Sequence, residues 1–390
     1  MLRKIGRVII HLLMVMVLLL TVVVNAAAAI GGPILDGYLG TYKVDTDEET
    51  LQNYLDRGEK LALQTEEEGI VLVQNQNDTL PLSEDTTKVN VFGWASTAWI
   101  GSGSGSAQIG SVKTDFLQAL ENYGIDYNTE LTDMYENFLA DRTYTNALGA
   151  YNEQLCRLYE PSVSDTEYYT PEMLANAEAY SDTAIVVLGR FCGESSDCPK
   201  TQYKVTKTSE GAYEESDVIT DDTRTYLDVS VEEEELLRYC GEHFKNVIVV
   251  ANLTNAMTLG FLETIPGIDS CLLVGTTGGN AADAIPEVLY GDVNPSGKTT
   301  DTYAYDLASS AAYANAGAEG EGMYTNTEGE NLYPADGETT NGNVGDNPLY
   351  DGLYYVDYAE GIYIGYKWYE TADAEGYWDG VDNEYGTGYD

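Results

Sequence analysis

Short apolar runs, alternating with amphipathic segments, constrain this fold more than any other feature of the sequence. Each run is a few residues long, is bounded by polar residues or glycine, and begins near Gly69, Lys88, Ala184, Asn246 or Asp269. Continuous runs of this length are typical of strands that are buried on both faces. Because helical patterns separate them, the order indicates βαβ units and a mostly parallel sheet.

The sequence therefore predicts an α/β fold. Its core is a three-layer sandwich with a mostly parallel sheet of five to six strands, preceded by an N-terminal apolar helix. Ser230-Val-Glu-Glu233 has the form of a capping box that starts a helix. A tyrosine-rich helical stretch is expected from about Leu131 to Tyr159, and the polar segment from the Ala184 strand to Thr225 is expected to be a loop.

Changes in composition and periodicity divide the chain into six predicted segments. In chain order they are a signal peptide or membrane anchor (1–29), a linker with a lead-in helix (30–60), the α/β sandwich (61–308), an irregular excursion rich in glycine, asparagine and acids (309–350), a returning segment of the same domain (351–370) and a polar tail at which the chain looks truncated (371–390).

The charge and the N-terminus indicate an exported protein. The chain has 65 acidic and 19 basic residues, a net charge of −46 that repels nucleic-acid phosphates and argues against a nucleic-acid partner. Arg3, Lys4 and Arg7 precede an apolar run at 8–24, and small residues follow, which is the form of a signal peptide. The run is also near the shortest length that spans a membrane. The chain is therefore expected outside the cytoplasm, either secreted or anchored by residues 8–24.

The five cysteines and two histidines match no zinc-ligand spacing, so the sequence predicts no metal and no cofactor. Two of the cysteines, Cys192 and Cys198, flank a loop at the end of the Ala184 strand. They form either a disulfide that staples this loop or a pair of thiols. Arg190 leaves the same strand end and either contacts a hydroxyl of a ligand or forms an ordinary salt bridge with a carboxylate.

Six stretches resemble, in the same order, stretches of glycoside hydrolase family 3. The resemblance is to the α/β sandwich domain of that family, which packs on a (β/α)8 barrel. The stretches are Glu68–Leu82, Val89–Gly93 with the Gly101–Ser106 loop, Ala184–Asp197, Leu227–Val250, Gly291-Asp-Val-Asn-Pro-Ser-Gly297 and Tyr358–Tyr369.

This resemblance implies a retaining β-glycosidase that hydrolyses O-glycosidic bonds at the non-reducing ends of β-glucosides or oligosaccharides. Its two carboxyl groups are an aspartate nucleophile on the barrel and, in many members, a glutamate acid/base on a loop of this domain. Glu194 matches the acid/base, and Asp197 matches a neighbouring partner or sugar contact. The alternative for Glu194 is a solvated loop glutamate in a strongly acidic chain.

The chain departs from the family pattern in two ways. Ser195 replaces a glycine in the loop. No stretch resembles the barrel or its nucleophile, so the chain is expected to be the leading part of a longer protein with a barrel downstream, catalytically incomplete alone. The alternative function is a non-catalytic α/β module that binds carbohydrate or another protein.

Overall fold

The structure is a computed structural model that describes most of the chain. The described residues are 10–25, 31–32, 47–103, 112–140, 157–193, 198–207, 213–310, 313, 324–325, 354–355 and 360–380. Two compact units are present, Met1–Gly58 and Glu59–Asp390. Residues 10–25 are helical. None of the helices in the described ranges combines the length and apolarity needed to cross a membrane.

Eleven strands occur in the described residues and form three sheets. They are β1 Val71–Asn75, β2 Lys88–Phe92, β3 Asp126–Tyr127, β4 Arg157–Leu158, β5 Thr183–Arg190, β6 Gln202–Lys207, β7 Tyr213–Asp221, β8 Asn246–Leu253, β9 Ser270–Val274, β10 Tyr324–Thr325 and β11 Tyr354–Tyr355.

The main sheet has six strands in the order β1-β9-β8-β5-β2-β3. Only β1 is antiparallel to its neighbour, so the predicted mostly parallel sheet is confirmed. Every residue of β5 and of β9 is buried, which means that both faces of the sheet centre are covered, as a three-layer sandwich requires.

Helices separate most of the main-sheet strands along the described parts of the chain. The helices of the described residues are α1 at residues 10–25, α2 Glu48–Gly69, α3 Phe116–Tyr123, α4 Thr129–Ala140, α5 Pro171–Tyr180, α6 Val231–His243, α7 Phe261–Thr264, α8 Ala284–Tyr290 and α9 Tyr366–Ala374. The capping box of α6 is formed, because the Ser230 Oγ accepts from the Glu233 N–H and the Glu233 carboxylate accepts from the Ser230 N–H.

Two sequence predictions are wrong. The helix expected up to Tyr159 ends at Ala140 in the described residues, and Arg157 and Leu158 form strand β4. The loop expected up to Thr225 contains strands β6 and β7, which pair antiparallel and, with β4, form a three-stranded sheet. Most of the predicted excursion at 309–350 lies outside the described residues.

The end of β2 packs so tightly on β5 that it admits only glycine. Gly93 has a φ of 93°, and a Cβ built there would lie 2.2 Å from the Val187 carbonyl oxygen. Gly124, which ends α3, has the same φ of 93°, but a Cβ there would meet nothing within 4 Å. The two glycines therefore differ in steric overlap and also in ψ, which is 132° at Gly93 and 25° at Gly124.

We expect Gly93→Ala to destabilise the chain far more than Gly124→Ala, as measured by urea unfolding. The Gly124 variant loses only the left-handed backbone preference, which costs roughly 1–2 kcal/mol. The Gly93 variant adds an overlap with Val187 that only movement of β2 away from β5 can relieve. Equal losses in the two variants would show that the β2–β5 contact is not tight.

Candidate functional site

The strand order predicts a ligand-binding crevice at the ends of β2 and β5. Counted in chain order, the five parallel strands lie as 2-1-3-4-5, so the direction of winding reverses between β2 and β5. In open α/β sheets, ligands bind outside the carboxyl ends of the strands at this switch point. Gly93 and Trp94 follow β2 there, and Arg190 ends β5, with Phe191 and Cys192 directly after it. The loop predicted to carry the acid/base thus begins at the crevice.

Arg190, the last residue of β5, is fully buried and uses all five of its N–H groups. Its Nη1 and Nη2 donate to the two carboxylate oxygens of Glu233 at 2.9 and 2.6 Å. The other donors reach the carbonyl oxygens of Gly189, Tyr226 and Asp228. Burial alone would lower the pKa of the guanidinium, but the Glu233 carboxylate outweighs it and raises that pKa. Of the two alternatives that the sequence left for Arg190, the salt bridge is therefore observed, and all five N–H groups already have acceptors other than a sugar.

Tyr226 braces both ends of the predicted catalytic loop. Its hydroxyl accepts from the Phe191 N–H at 2.8 Å and donates to the Phe191 carbonyl at 3.0 Å. Its own N–H donates to the Pro199 carbonyl at 3.1 Å. Its ring lies under the Arg190 guanidinium, 5.6 Å from ring centroid to Cζ. One buried side chain therefore ties the residues before and after the loop to the ion pair.

The loop itself is only partly described. Glu194 and Asp197 lie outside the described residues, so their predicted roles stay predictions. Cys192 and Cys198 both pack on the apolar cluster of Leu158 and Tyr226. Both are thiols here, and the Cys192 Sγ donates to the Asn255 Oδ1 at 2.9 Å. The staple is thus not formed in this structure and also stays a prediction.

Asn252 connects the ends of three strands at the same edge. It is fully buried near the end of β8, and its Oδ1 accepts from the Ile100 N–H at 2.7 Å. Its amide donates to the carbonyl oxygens of Ile100 and Gly275. The glycine-containing loop after β2 is therefore fixed to the segment after β9.

The sequence analysis did not identify Glu160, a buried carboxyl group that contacts the backbone directly after β2. The Glu160 Oε2 accepts from the Trp94 N–H at 2.9 Å, and its Oε1 accepts from the hydroxyls of Tyr135 and Tyr169 at 2.9 Å. The Tyr135 hydroxyl also accepts from the Gly93 N–H. Burial raises the pKa of Glu160 to about 8, although these donors oppose that rise. No local motif marks Glu160, because only tertiary packing buries it.

Within the ranges that the structure describes, no group of three or more histidine, cysteine or acidic side chains is arranged to hold a metal ion. At the carboxyl ends of the parallel strands, the described residues instead include a buried ion pair and hydrogen bonds that hold the backbone on both sides of the loop after β5. This arrangement can position a group that the loop carries.

Comparison with known proteins decides the family. Residues 70–366, which are most of the chain, match the family described as "Glycosyl hydrolase family 3 C-terminal domain". The chain belongs to this family. It is 26% identical over 310 residues to beta-glucosidase A of Butyrivibrio fibrisolvens and 26% identical over 312 residues to a beta-glucosidase of Ruminococcus albus. These alignments cover 78% and 80% of this chain but only 31% and 26% of the relatives. The chain thus spans about a third or less of either relative.

Solved structures give the same fold. A beta-glucosidase from Paenibacillus barengoltzii is 27% identical, with a TM-score of 0.51 over 66% of this chain and 25% of that one. Beta-glucosidase 3B from Thermotoga neapolitana in complex with glucose is 23% identical, with a TM-score of 0.55 over 81% of this chain and 36% of that one. The resemblance to glycoside hydrolase family 3 and the α/β fold predicted from the sequence are confirmed.

We expect Glu160→Gln to remove a pH dependence of stability. A carboxyl group whose pKa is raised by folding stabilises fully below its unfolded pKa of about 4.5, and this stability is lost as the pH rises towards about 8. The free energy of unfolding of the wild type, relative to the variant, should fall by a few kcal/mol between pH 4.5 and pH 8.5.

Urea unfolding at several pH values measures this difference. Glu136→Gln, an exposed change on the same helix as Tyr135, is the control and should leave the wild-type dependence intact. A constant difference between the wild type and Glu160→Gln across this pH range would contradict a raised pKa for Glu160.

Proposed function

We propose that this chain is the acid/base-bearing domain of an exported, retaining β-glycosidase and that Glu194 is the acid/base. The support is the position of its loop. The loop starts at the switch-point crevice, and buried contacts of Arg190 and Tyr226 hold the residues on both sides of it. Family membership adds the reaction class, since the relatives named above are beta-glucosidases. The proposed substrate is a β-glucoside or a short oligosaccharide.

The reaction needs a second carboxyl group, which this proposal assigns to an aspartate on a (β/α)8 barrel elsewhere in the full protein. That carboxylate attacks the anomeric carbon, the glycosidic C–O bond breaks, and Glu194 gives its proton to the leaving oxygen. Glu194 then takes a proton from water, which attacks the same carbon and releases the aspartate. Retention requires the two carboxyl groups about 5–5.5 Å apart.

Rigid loop ends suit this chemistry. Small displacements of a catalytic group cost much of its effect, so an acid on a mobile loop would be inefficient. The described residues on both sides of residues 194–197 are fixed by hydrogen bonds to Tyr226 and, for Cys192, to the Thr254 Oγ1 at 2.8 Å. Export through the apolar segment at residues 8–24 is part of the same proposal.

We expect Glu194→Gln in the full, barrel-bearing protein to slow hydrolysis in a way that depends on the leaving group. Loss of general acid catalysis should lower kcat for alkyl glycosides about 10²–10⁴-fold. For glycosides with good aryl leaving groups, the rate of the first step, in which the sugar is transferred to the nucleophile, should fall much less. Such leaving groups depart without a proton. Steady-state kinetics over a series of aryl and alkyl glucosides measures this dependence.

Glu136→Gln serves as the matched control, since it makes the same change at an exposed site on α4. An unchanged rate for poor leaving groups in Glu194→Gln would refute the acid role. The chain alone should hydrolyse no aryl glucoside, because it lacks the proposed nucleophile. Turnover by the chain alone would contradict the division of the two carboxyl groups between domains.

A further inference from the structure

A cavity of about 710 Å³ lies beside α6 and α7, at residues that the proposed catalytic loop does not include. Its walls come from Lys200, from the segment 222–229, from α6 and α7, and from the segment around Tyr305 and Asp306. Ligand pockets in proteins usually measure about 300–1,000 Å³, so this volume suits a small molecule. The residues at the switch point, which are Gly93, Trp94 and Arg190 to Cys192, are not part of its lining.

The charges of the lining are nearly balanced, although the chain as a whole is strongly acidic. Three basic and four acidic side chains face the cavity: Lys200, Arg224 and Arg238 against Asp222, Asp228, Glu234 and Asp306. A cavity that selected an anion or a cation would carry a clear excess of one sign. The balance favours an uncharged, polar ligand that accepts and donates hydrogen bonds.

The polar groups of the lining are held in place before any ligand arrives. The Glu234 carboxylate accepts from the Nη2 of Arg224 and from the Nη2 of Arg238, each at 2.7 Å. The Arg224 Nη1 also donates to the Val229 carbonyl at 2.9 Å. The Asp228 carboxylate accepts from Thr225 and from the Thr258 hydroxyl. Such preorganised planar groups reduce the ordering cost of binding.

Apolar surface completes the lining. Phe261 and Ile265 are almost fully buried and line the cavity. Tyr305 adds a ring whose hydroxyl donates to the Glu263 carboxylate, which fixes its orientation. Flat apolar surface beside paired polar groups matches a sugar ring, which has C–H faces and hydroxyls around its rim.

We propose that this cavity is a second saccharide-binding site, which takes a neutral sugar of one or two rings. None of the described residues next to the Glu194 loop, which are 190–193 and 198–199, lines this cavity, and binding there needs no catalytic group, so the proposal goes beyond the proposed hydrolysis. Its hydrogen bonds come from the Arg224–Glu234–Arg238 cluster and from Asp306, and its stacking surface is Tyr305.

Isothermal titration calorimetry of the chain with glucose, with cellobiose and with inorganic phosphate tests this proposal. The wild type should bind cellobiose saturably in the millimolar range or tighter, and phosphate more weakly. Arg238→Ala and Tyr305→Ala should weaken saccharide binding at least about tenfold, since each removes a ligand contact. Arg238 is a suitable target because its side chain is 45% exposed, so its truncation leaves the core intact.

Two matched controls lie on α2, outside the cavity: Arg57→Ala and Tyr54→Ala remove the same side-chain types and should bind like the wild type. Arg238→Ala and Tyr305→Ala leave Glu194 unchanged, so their effect on saccharide binding tests this proposal independently of the proposed acid/base. Three results would overturn the proposal: no saturable saccharide binding, wild-type affinity in both cavity variants, or phosphate binding tighter than cellobiose binding.

Discussion

The buried ion pair of Arg190 and Glu233 is the interaction on which the carboxyl edge of the sheet depends. Both side chains have no exposed surface, and an unpaired charge at that depth would cost several kcal/mol. The pair is stable because every Arg190 donor has an acceptor and because Glu233 also caps α6. Strand β5 and helix α6 are therefore held together by two charges that neither element could bury alone.

This pair gives the proposed function its physical basis. Tyr226 accepts from Arg190 through its carbonyl, lies under the guanidinium, and binds the backbone on both sides of residues 194–197. On the other side of the crevice, Glu160 holds the backbone at Trp94. The described residues on both sides of the loop are therefore fixed, which suits the proposed presentation of one carboxyl group to a partner domain. Retaining glycoside hydrolysis needs that precision, because its two carboxyl groups must face the same bond.

The main sheet could be predicted because each strand is buried on both faces and so reads as an apolar run, as in Ala184–Leu188. The β6–β7 hairpin was missed because its polar sequence lacks such a run. The capping-box motif predicted the contact between Ser230 and Glu233. The ion pair of Glu233 with Arg190 could not be predicted in this way, because the two residues are 43 positions apart in the chain. Glu160 carries no local signal at all. The sequence therefore did not predict contacts between residues that only tertiary packing brings together.

The most direct test is the free energy of unfolding of Glu233→Gln beside that of Glu234→Gln. Glu234 is the next residue and pairs with Arg224 and Arg238 at the partly exposed surface, where such pairs contribute about 0–1 kcal/mol. Loss of the Glu233 charge leaves Arg190 buried and unpaired, so Glu233→Gln should lose about 3–5 kcal/mol. In the barrel-bearing protein it should also slow hydrolysis of alkyl glycosides. Equal and small losses in the two variants, with unchanged hydrolysis, would contradict the account.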